Sequence, residues 1–467
     1  MNRFAASAIL LLAASVAVGQ YDHLTITVDS LAPQLAPLCD HVENTLGLND
    51  TVVLVDDVLL TSPGRDDQEK LRNYIRDAYS NWGLTHVLLA GDDDQLPCRL
   101  CWVYINNEYR DWIPTELYYS ALDGNWDADG DGNYGEPEDS VDLVPDVLLG
   151  RLPLATPGEM AAFVQRYLVY TGDSTRQYLQ DVLFAGFDYS PTFHGEEACE
   201  LCDSLLRPET MRSVKVYDSH SGNHEDSVKH TLDRGMHVWV QLDHCNYNVL
   251  GSGYINHGWL LWTTELDDMA NAPDYTINLT AGCLPSAFDS SYCVAEVLLT
   301  APQGGCVATL GNSRIGFGTS PDPIRGGSHF YLEKCLERFW QGPGSGTFSG
   351  LQNGQVEAAP LAASDAVWRW CHYEYLLSGA PAMRVWVPGA SWVEERSGPG
   401  RAMDETRMPT VMTGPALART GFRVVDIQGR DVTGRRQTLS PGVYFVTEGS
   451  GVRGSRCSAM RKVIVGR

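Results

Sequence analysis

Hydrophobic and polar positions along the chain follow two periods in turn, which predicts alternating strands and helices. Residues 23–28 alternate as a half-buried strand does, and residues 51–55 form a second short apolar run. Between residues 66 and 82, apolar side chains recur at helical spacing, and Gly83 follows as a stop signal. Residues 86–90 form another apolar run that ends in Gly91 and three aspartates. This alternation predicts a parallel α/β sheet with ligands at the carboxyl ends of its strands.

The second half of the chain repeats the alternation. Apolar runs predict further strands at residues 144–149, 181–187, 214–217, 236–242 and 276–281. Helical spacing predicts helices between them, at residues 156–170, 196–205 and 226–235. A helix over residues 362–377 and an edge strand over residues 383–387 follow. The fold class predicted by this pattern is α/β with a small all-β addition at the C-terminus.

That addition comes from residues 421–467, where three short alternating segments are separated by Gly- and Pro-containing turns. The chain then divides into five segments: a signal peptide (1–19), a first α/β subdomain (20–178), a second α/β subdomain (179–393), a linker (394–420) and a small β module (421–467).

The N-terminus and the charge indicate an exported protein. Arg3 precedes an apolar run over residues 5–18, and residues 17–19 offer small side chains before Gln20. This arrangement is typical of a secretory signal peptide. No later run of 18 apolar residues occurs, so we expect the mature chain to be secreted or held at the cell surface. The formal net charge of −25 argues against nucleic acid and anionic membranes as partners.

Two chemically active residues follow predicted strands that are separated by one crossover. His244 comes directly after the strand at 236–242, and Cys283 follows the strand at 276–281. A cysteine beside a histidine at neighbouring strand ends can act as a nucleophile with its general base. On spacing alone, a buried structural cysteine and a hydrogen-bonded loop histidine remain open alternatives.

The chain has 12 cysteines, and export makes disulfides an option for them. Cys98 and Cys101 form one close pair, and Cys199 and Cys202 form another. Zinc would require four well-spaced ligands, and no second pair lies at the spacing of a zinc ribbon. The sequence therefore does not favour zinc, and it does not determine which cysteines pair.

A polar segment matches a twelve-position calcium loop. Its ligands would be the residues at positions 1, 3, 5, 7 and 12, namely Asp127, Asp129, Asp131, Asn133 and Glu138. Gly132 occupies position 6, where the loop turns sharply. We expect a structural Ca²⁺ here, and the alternative is a solvated acidic turn.

Many separate motifs, in order along the chain, resemble those of gingipain-type cysteine peptidases, which have a caspase-like fold. They include Val-Leu-Leu-Ala-Gly-Asp at 87–92, Ile-Pro-Thr-Glu-Leu-Tyr-Tyr at 113–119, Asp-Val-Leu-Leu-Gly-Arg-Leu-Pro at 146–153, Asp-His at 243–244, Ala-Gly-Cys at 281–283 and Gly-Asn-Ser-Arg at 311–314. The resemblance spans roughly residues 21–387. It implies two side-by-side α/β subdomains, with the catalytic residues in the second.

The resemblance also implies roles for individual residues. His244 would be the general base and acid, Cys283 the nucleophile, and Glu196 the acidic partner of the histidine. The family commonly has glycine beside this histidine and serine or alanine before the cysteine, whereas this chain has Asp243, Cys245 and Gly282 at those positions. Arg314 would line the site or brace a strand end, and we favour bracing.

The function that follows is a secreted cysteine endopeptidase acting on protein or peptide substrates. One alternative is an inactive caspase-fold component of a surface or secretion system. The other is a peptide ligase, in which an amine instead of water attacks the thioester between the substrate and Cys283. The C-terminal module resembles the sorting domains of the type IX secretion route. That resemblance implies the secretion machinery as a partner and attachment to the cell surface.

Overall fold

A computed structural model describes residues 21–387, apart from residues 140, 253–257, 291, 320–321 and 343, and four strands in the C-terminal part. The predicted signal peptide lies outside the described residues. The strands of the main body are, in chain order, β1 His23–Thr27, β2 Asp50–Leu54, β3 His86–Ala90, β4 Arg99–Tyr104, β5 Arg110–Thr115, β6 Leu148–Leu152, β7 Asp181–Gly186, β8 Asp188–Ser190, β9 Phe193–His194, β10 Arg212–Tyr217, β11 Val238–Leu242, β12 Cys245–Asn246, β13 Val249–Ser252, β14 Trp259–Trp262, β15 Thr276–Thr280, β16 Cys306–Asn312 and β17 Tyr375–Gly379.

The helices are α1 Ala32–Asn44, α2 Val55–Thr61, α3 Asp67–Trp82, α4 Leu117–Ser120, α5 Pro157–Gly172, α6 Gly195–Leu206, α7 His224–Asp233, α8 Thr263–Asp267, α9 Val294–Thr300, α10 Ser328–Trp340, α11 Ser349–Ser364 and α12 Ala366–Glu374. Two short 3₁₀ turns occur at Pro137–Asp139 and Gln177–Gln180. Within the described part of the chain, none of these helices has the length and apolar character needed to cross a membrane.

Ten strands form one continuous sheet in the order β10-β7-β11-β15-β16-β17-β6-β3-β1-β2. The four strands β2, β1, β3 and β6 run parallel to one another, and so do the five strands from β10 to β16. Strand β17 lies between these groups. It is antiparallel to β16 and pairs in parallel with β6 through Ser378 and Arg151. The two parallel groups therefore run in opposite directions, which confirms a mixed α/β fold with mostly parallel strands.

Helices cover both faces of the sheet. On β11, Val238 and Val240 belong to the core that includes α1, α5, α6 and α10, whereas Trp239 packs into the core beneath α7, α8 and α9. Helices α2 and α3 cover the other half of this second face. Both β11 and β15 are buried on both faces. Apolar side chains follow one another over residues 238–240 of β11, as is typical of such strands. In β15, Ile277 and Leu279 alternate with buried polar side chains.

Local signals in the sequence set the ends of α3 as predicted. The Asp66 carboxylate accepts a hydrogen bond from the Glu69 N–H at 2.7 Å, which caps the first turn. Gly83 follows the last turn with φ of +79°, a left-handed conformation that glycine adopts without steric cost.

The predicted helix over residues 362–377 is wrong at both ends. The segment contains the end of α11, a break at Asp365, and α12, which stops at Glu374. Tyr375–Gly379 is a fully buried strand in the middle of the sheet, where a short apolar run fits either structure by periodicity. The edge strand predicted at 383–387 does not form.

The C-terminal part contains four strands: β18 Thr410–Met412, β19 Arg423–Asp426, β20 Gly442–Thr447 and β21 Met460–Val465. They pair in the order β18-β21-β20-β19. The last three lie where the alternating segments predicted strands, whereas the boundaries of the predicted domains stay a prediction.

Candidate active site

His244 and Cys283 follow two neighbouring parallel strands, β11 and β15. The register pairs Gln241 with Thr280, and each candidate residue lies three positions beyond its strand's member of that pair. Because the two strands run parallel, both residues come at the same edge of the sheet. This edge is the carboxyl end of the five-stranded parallel group, which is where ligands bind in such sheets.

The Cys283 thiol is half-buried in the strand-end loop. Its Sγ atom lies 4.0 Å from the Gly316 carbonyl oxygen, to which the thiol donates a weak hydrogen bond. Burial raises the pKa of Cys283 from 9.0 to about 11. The resting side chain is therefore a thiol at neutral pH, and a base must take its proton before it can attack a carbonyl carbon.

The backbone around Cys283 is tightly fixed. The Gly282 N–H donates to Thr280 Oγ1 at 3.1 Å, and the Leu284 N–H donates to the Arg314 carbonyl at 2.8 Å. Leu284 has φ of +67°, a left-handed conformation that costs a residue other than glycine on the order of 1–3 kcal/mol. Strain of this kind persists only where the surroundings enforce it, as these hydrogen bonds do here.

His244 is exposed, and its ring is held by Tyr189. The Nε2 atom lies 2.8 Å from the Tyr189 backbone carbonyl oxygen, and the two rings meet edge to face at 5.4 Å between centroids. A carbonyl oxygen only accepts hydrogen bonds, so Nε2 carries a proton and Nδ1 of the neutral ring is left to accept one.

The structure does not bring Glu196 to the imidazole. Glu196 lies in the first turn of α6, and its carboxylate accepts a hydrogen bond from Ser219 Oγ at 2.7 Å. The contact that orients His244 comes instead from Tyr189, just beyond β7, the strand that pairs with β11. A backbone carbonyl has no signature in the amino-acid sequence, which is why the sequence could not indicate it.

A buried acid supports the loop that receives the Cys283 thiol. Trp370 Nε1 donates to the Ile315 carbonyl at 2.9 Å and to Glu374 Oε2 at 3.1 Å. Ser328 Oγ donates to Glu374 Oε1 at 3.1 Å. Glu374 is fully buried, and burial raises the pKa of its carboxyl group. The Phe317 N–H donates to Ser328 Oγ at 3.2 Å, so these contacts fix the backbone on either side of Gly316.

Arg314 braces the same edge. Its two terminal nitrogens donate to the two oxygens of Asp289 at 2.9 and 2.7 Å, and Nε donates to the Trp112 carbonyl at 3.1 Å. The Arg314 guanidinium therefore connects the end of β16 to the loop after Cys283 and to strand β5. These contacts fit the bracing role favoured from the sequence.

The predicted calcium loop is folded as a tight acidic turn. Asp127, Asp129 and Asp131 each offer a carboxylate oxygen within 4.8 Å of the others. The Gly132 N–H donates to Asp127 Oδ1 at 3.0 Å, and this bond lowers the pKa of Asp127. Asn133 donates to Asp131, and Glu138 lies in a 3₁₀ turn. Three of the five predicted ligands thus converge, a donor set that fits a hard cation.

A second carboxylate group was not predicted. Asp123, Asp142 and Asp146 also bring one oxygen each within 4.8 Å of the others. Their spacing along the chain matches no metal-binding motif, so only folding could show the group. Exposed and half-exposed acidic groups occur widely without an ion.

The cysteine pairs hold neither a disulfide nor zinc ligands in the described residues. All 11 cysteines there are free thiols, including Cys98, Cys101, Cys199 and Cys202. Among the described residues, the two carboxylate groups are the only clusters of three or more candidate metal ligands, and neither contains cysteine or histidine.

Comparisons with known proteins bear on the family and the fold. A model of peptidase family C25 matches residues 17–386. Among solved structures, the Arg-specific cysteine proteinase gingipain R (RgpB) is 16% identical with a TM-score of 0.59, covering 96% of this chain and 98% of that one. A complex of the RgpB pro- and mature domains from Porphyromonas gingivalis is 15% identical with a TM-score of 0.60, covering 95% of this chain and 100% of that one.

No curated protein matches the chain significantly. At these identities the solved structures establish the fold, which is the caspase-like α/β fold of the gingipains. The family match covers most of the chain and establishes the family as well as the fold. The chain belongs to peptidase family C25 and is a cysteine-type peptidase, a hydrolase.

Proposed function

We propose that the protein is a secreted cysteine endopeptidase that cleaves peptide bonds with Cys283 as nucleophile and His244 as general base and acid. The observation that carries this proposal is the register of β11 and β15, which puts both residues three positions past the paired Gln241 and Thr280. The contact of His244 Nε2 with the Tyr189 carbonyl also supports the proposal, because it leaves Nδ1 to accept a proton.

In the first step, His244 Nδ1 takes the thiol proton while Cys283 Sγ attacks the carbonyl carbon of the scissile peptide. The carbonyl π electrons move to oxygen and give a tetrahedral oxyanion. The Cys283 N–H lies between two N–H groups that already have acceptors, at Gly282 and Leu284, and we assign it as a donor to the oxyanion.

In the second step, the C–N bond breaks, and the leaving amine takes the proton from the imidazolium. The acyl group remains on Cys283 as a thioester. Water then attacks the thioester carbon and gives its proton to His244, and the protonated imidazole returns a proton to the departing thiolate. An amine in place of water would give transpeptidation, the ligase alternative.

We also propose a structural Ca²⁺ in the loop at residues 127–138. The side chains of Asp127, Asp129 and Asp131 would hold it, with Asn133 and Glu138 completing the oxygen ligands. The ion would stabilise the loop between β5 and β6 rather than take part in the reaction.

Export and surface delivery complete the proposal. The apolar N-terminal segment supports secretion, and the four C-terminal strands support recognition by a type IX secretion machinery. Deletion of residues 421–467 in the native host, followed by cell fractionation, tests this delivery. Unchanged surface or medium levels of the truncated protein would contradict it.

The peptidase assignment is tested with a mixed peptide library, a reductant and calcium. We expect the wild type to cleave internal peptide bonds and the Cys283→Ala and His244→Ala variants to lose cleavage. Cys335→Ala, which removes a buried thiol on α10, is the matched control and should remain active. Product masses separate hydrolysis from ligation.

An inactive surface or secretion component is the alternative function. The observation that favours it is the departure from the family pattern beside His244, where this chain has Asp243 and Cys245. A wild type that cleaves no more than Cys283→Ala would contradict the peptidase proposal and favour this alternative.

A further inference from the structure

We propose that a buried hydrogen-bonded brace, formed by Asp243, Cys245, Thr280 and Gly282, sets the spacing between His244 and Cys283. The inference rests on the proposed function, since it makes these four positioning residues for the His244–Cys283 pair. Asp243 and Cys245 flank His244 in the sequence, and Gly282 precedes Cys283. The brace is therefore attached to both reacting residues through the backbone.

The brace begins with a polar ladder along alternate residues of β11. Trp239 Nε1 donates to Gln241 Oε1 at 3.0 Å, and Gln241 Nε2 donates to Asp243 Oδ2 at 2.6 Å. All three side chains have no exposed surface. A buried polar ladder of this kind is stable only when its members are hydrogen-bonded, which makes its geometry specific.

The ladder then crosses from the His244 segment to the Cys283 segment. Cys245 Sγ lies 3.6 Å from Asp243 Oδ1 and 3.7 Å from Thr280 Oγ1. Thr280 Oγ1 in turn accepts the Gly282 N–H at 3.1 Å. The contacts thus form an unbroken path from the residues beside the base to the residue before the nucleophile.

The thiol of Cys245 is suited to this bridging position. Burial and the nearby Asp243 carboxylate raise the pKa of Cys245, so the side chain keeps its proton and can donate it. It is 5% exposed, and Thr280 is 1% exposed. Solvent therefore does not compete for these contacts.

Steric contact between Gly282 and the segment that carries His244 limits the same spacing more strictly than the hydrogen bonds do. A Cβ atom placed on Gly282 would lie 2.3 Å from Cys245 Sγ, 2.8 Å from Cys245 Cβ and 2.7 Å from the Asp243 carbonyl oxygen. The two segments are therefore as close as a glycine and a cysteine permit. Any side chain at position 282 must push them apart.

Separation of the segments would harm the reaction because the thiol proton passes directly to the imidazole. Displacement of reacting groups by about 1 Å costs about 100-fold in rate. A change in spacing should lower kcat more than it raises KM, since it acts on the transition state rather than on substrate binding.

The test compares Gly282→Ala alone with two double variants. Gly282→Ala should lower kcat about 100-fold with little change in KM. Adding Cys245→Gly removes two of the three colliding atoms, Sγ and Cβ, and leaves the Asp243 carbonyl oxygen at 2.7 Å, so it should recover part of the loss. Adding Cys245→Ala leaves Cβ in place, 2.8 Å from the new carbon, and should recover little. Wild-type activity in Gly282→Ala, or equal rescue by both second changes, would overturn the brace.

Alkylation of Cys283 by iodoacetamide, followed by mass spectrometry of its peptide, is a second readout independent of peptide hydrolysis. We expect its rate to fall in Gly282→Ala and to recover in Cys245→Gly/Gly282→Ala. If the wild type cleaves no peptide, the peptidase proposal fails, and alkylation still decides the brace. If the wild type cleaves and the variants react at unchanged rates, the brace alone fails.

Asp243→Asn covers the case in which Gly282→Ala does not fold. The amide keeps the size of the carboxylate and an acceptor for Gln241, but it weakens the contact with Cys245. We expect a folded protein with lower kcat and slower Cys283 alkylation. A folded Asp243→Asn variant with wild-type kcat and alkylation rate would overturn the proposal.

Discussion

The Nε2 atom of His244 lies 2.8 Å from the backbone carbonyl oxygen of Tyr189, so the imidazole is oriented by a group that side-chain substitution does not remove. Tyr189 follows β7, and β7 pairs with β11 on the side away from β15. Three neighbouring strand ends thus contribute, in spatial order, the acceptor, the proposed base and the proposed nucleophile. No carboxylate is needed to select the Nε2–H form of the ring.

The first prediction concerns Glu196, whose predicted role as acidic partner remains to be tested. With Tyr189 orienting the ring, we expect Glu196→Gln to lose far less than the roughly 100-fold that a general acid–base group contributes. The measurement is kcat on a peptide substrate. Ser219→Ala, which removes the same hydrogen bond from its other side, is the control. A loss near that of His244→Ala would restore Glu196 as the acidic partner.

The second prediction concerns the protonation of the nucleophile. Because burial raises the pKa of Cys283 to about 11, the rate of its alkylation should climb with pH beyond the range of an ordinary cysteine, at about 8.5. Peptide mass spectrometry after short iodoacetamide pulses measures this rate. A midpoint below pH 7 would show a thiolate–imidazolium pair instead, and His244→Ala would then shift the midpoint upward.

The third prediction concerns Ca²⁺. Chelation should lower the melting temperature, since a ligand at a hundredfold excess over its Kd stabilises the folded state by about 2.7 kcal/mol. Asp129→Asn with Asp131→Asn should reduce the chelator-induced drop, whereas Asp77→Asn, an exposed carboxylate on α3, should not. If the double variant keeps the full drop, the ion binds elsewhere, and the group at Asp123, Asp142 and Asp146 is the first place to examine.

The fourth prediction concerns Glu296 in the first turn of α9. Burial raises its pKa from 4.5 to about 8, so the folded protein holds a proton that the unfolded chain releases above pH 4.5. This contribution to stability is complete below pH 4.5 and is lost as pH rises through 8. Relative to Glu296→Gln, the wild type should lose about 1.4 kcal/mol of unfolding free energy per pH unit in that window.

Denaturant unfolding of both proteins at pH 5 and pH 8 measures this difference. The amide still accepts the Cys293 N–H, which the carboxylate accepts at 2.6 Å. Glu265→Gln, in the same capping position of α8 but half-exposed, controls for changes in the cap itself. A constant difference between wild type and Glu296→Gln across this range would contradict the buried-acid interpretation.

Signals within a few residues determined much of the fold. Asp66 and Gly83 mark the two ends of α3 because a cap and a left-handed turn depend only on local backbone and side chain. The strands that lead to His244 and Cys283 were also evident, because β11 is mostly apolar, as a strand buried on both faces usually is, and β15 carries Ile277 and Leu279 at alternate positions. The edge strand expected at 383–387 does not form, because the residue types of a short segment do not show whether a neighbouring strand is there to pair with it.

Tertiary structure decided how those segments meet. The sequence could not show that the sheet reverses direction between β16 and β17, or that a carbonyl at Tyr189 holds His244, because strand order and backbone acceptors leave no pattern of residue types. Cys245 and Gly282 stood out in the sequence as two separate departures from the family. Folding makes them one contact, since the space that glycine leaves empty is filled by the neighbouring thiol.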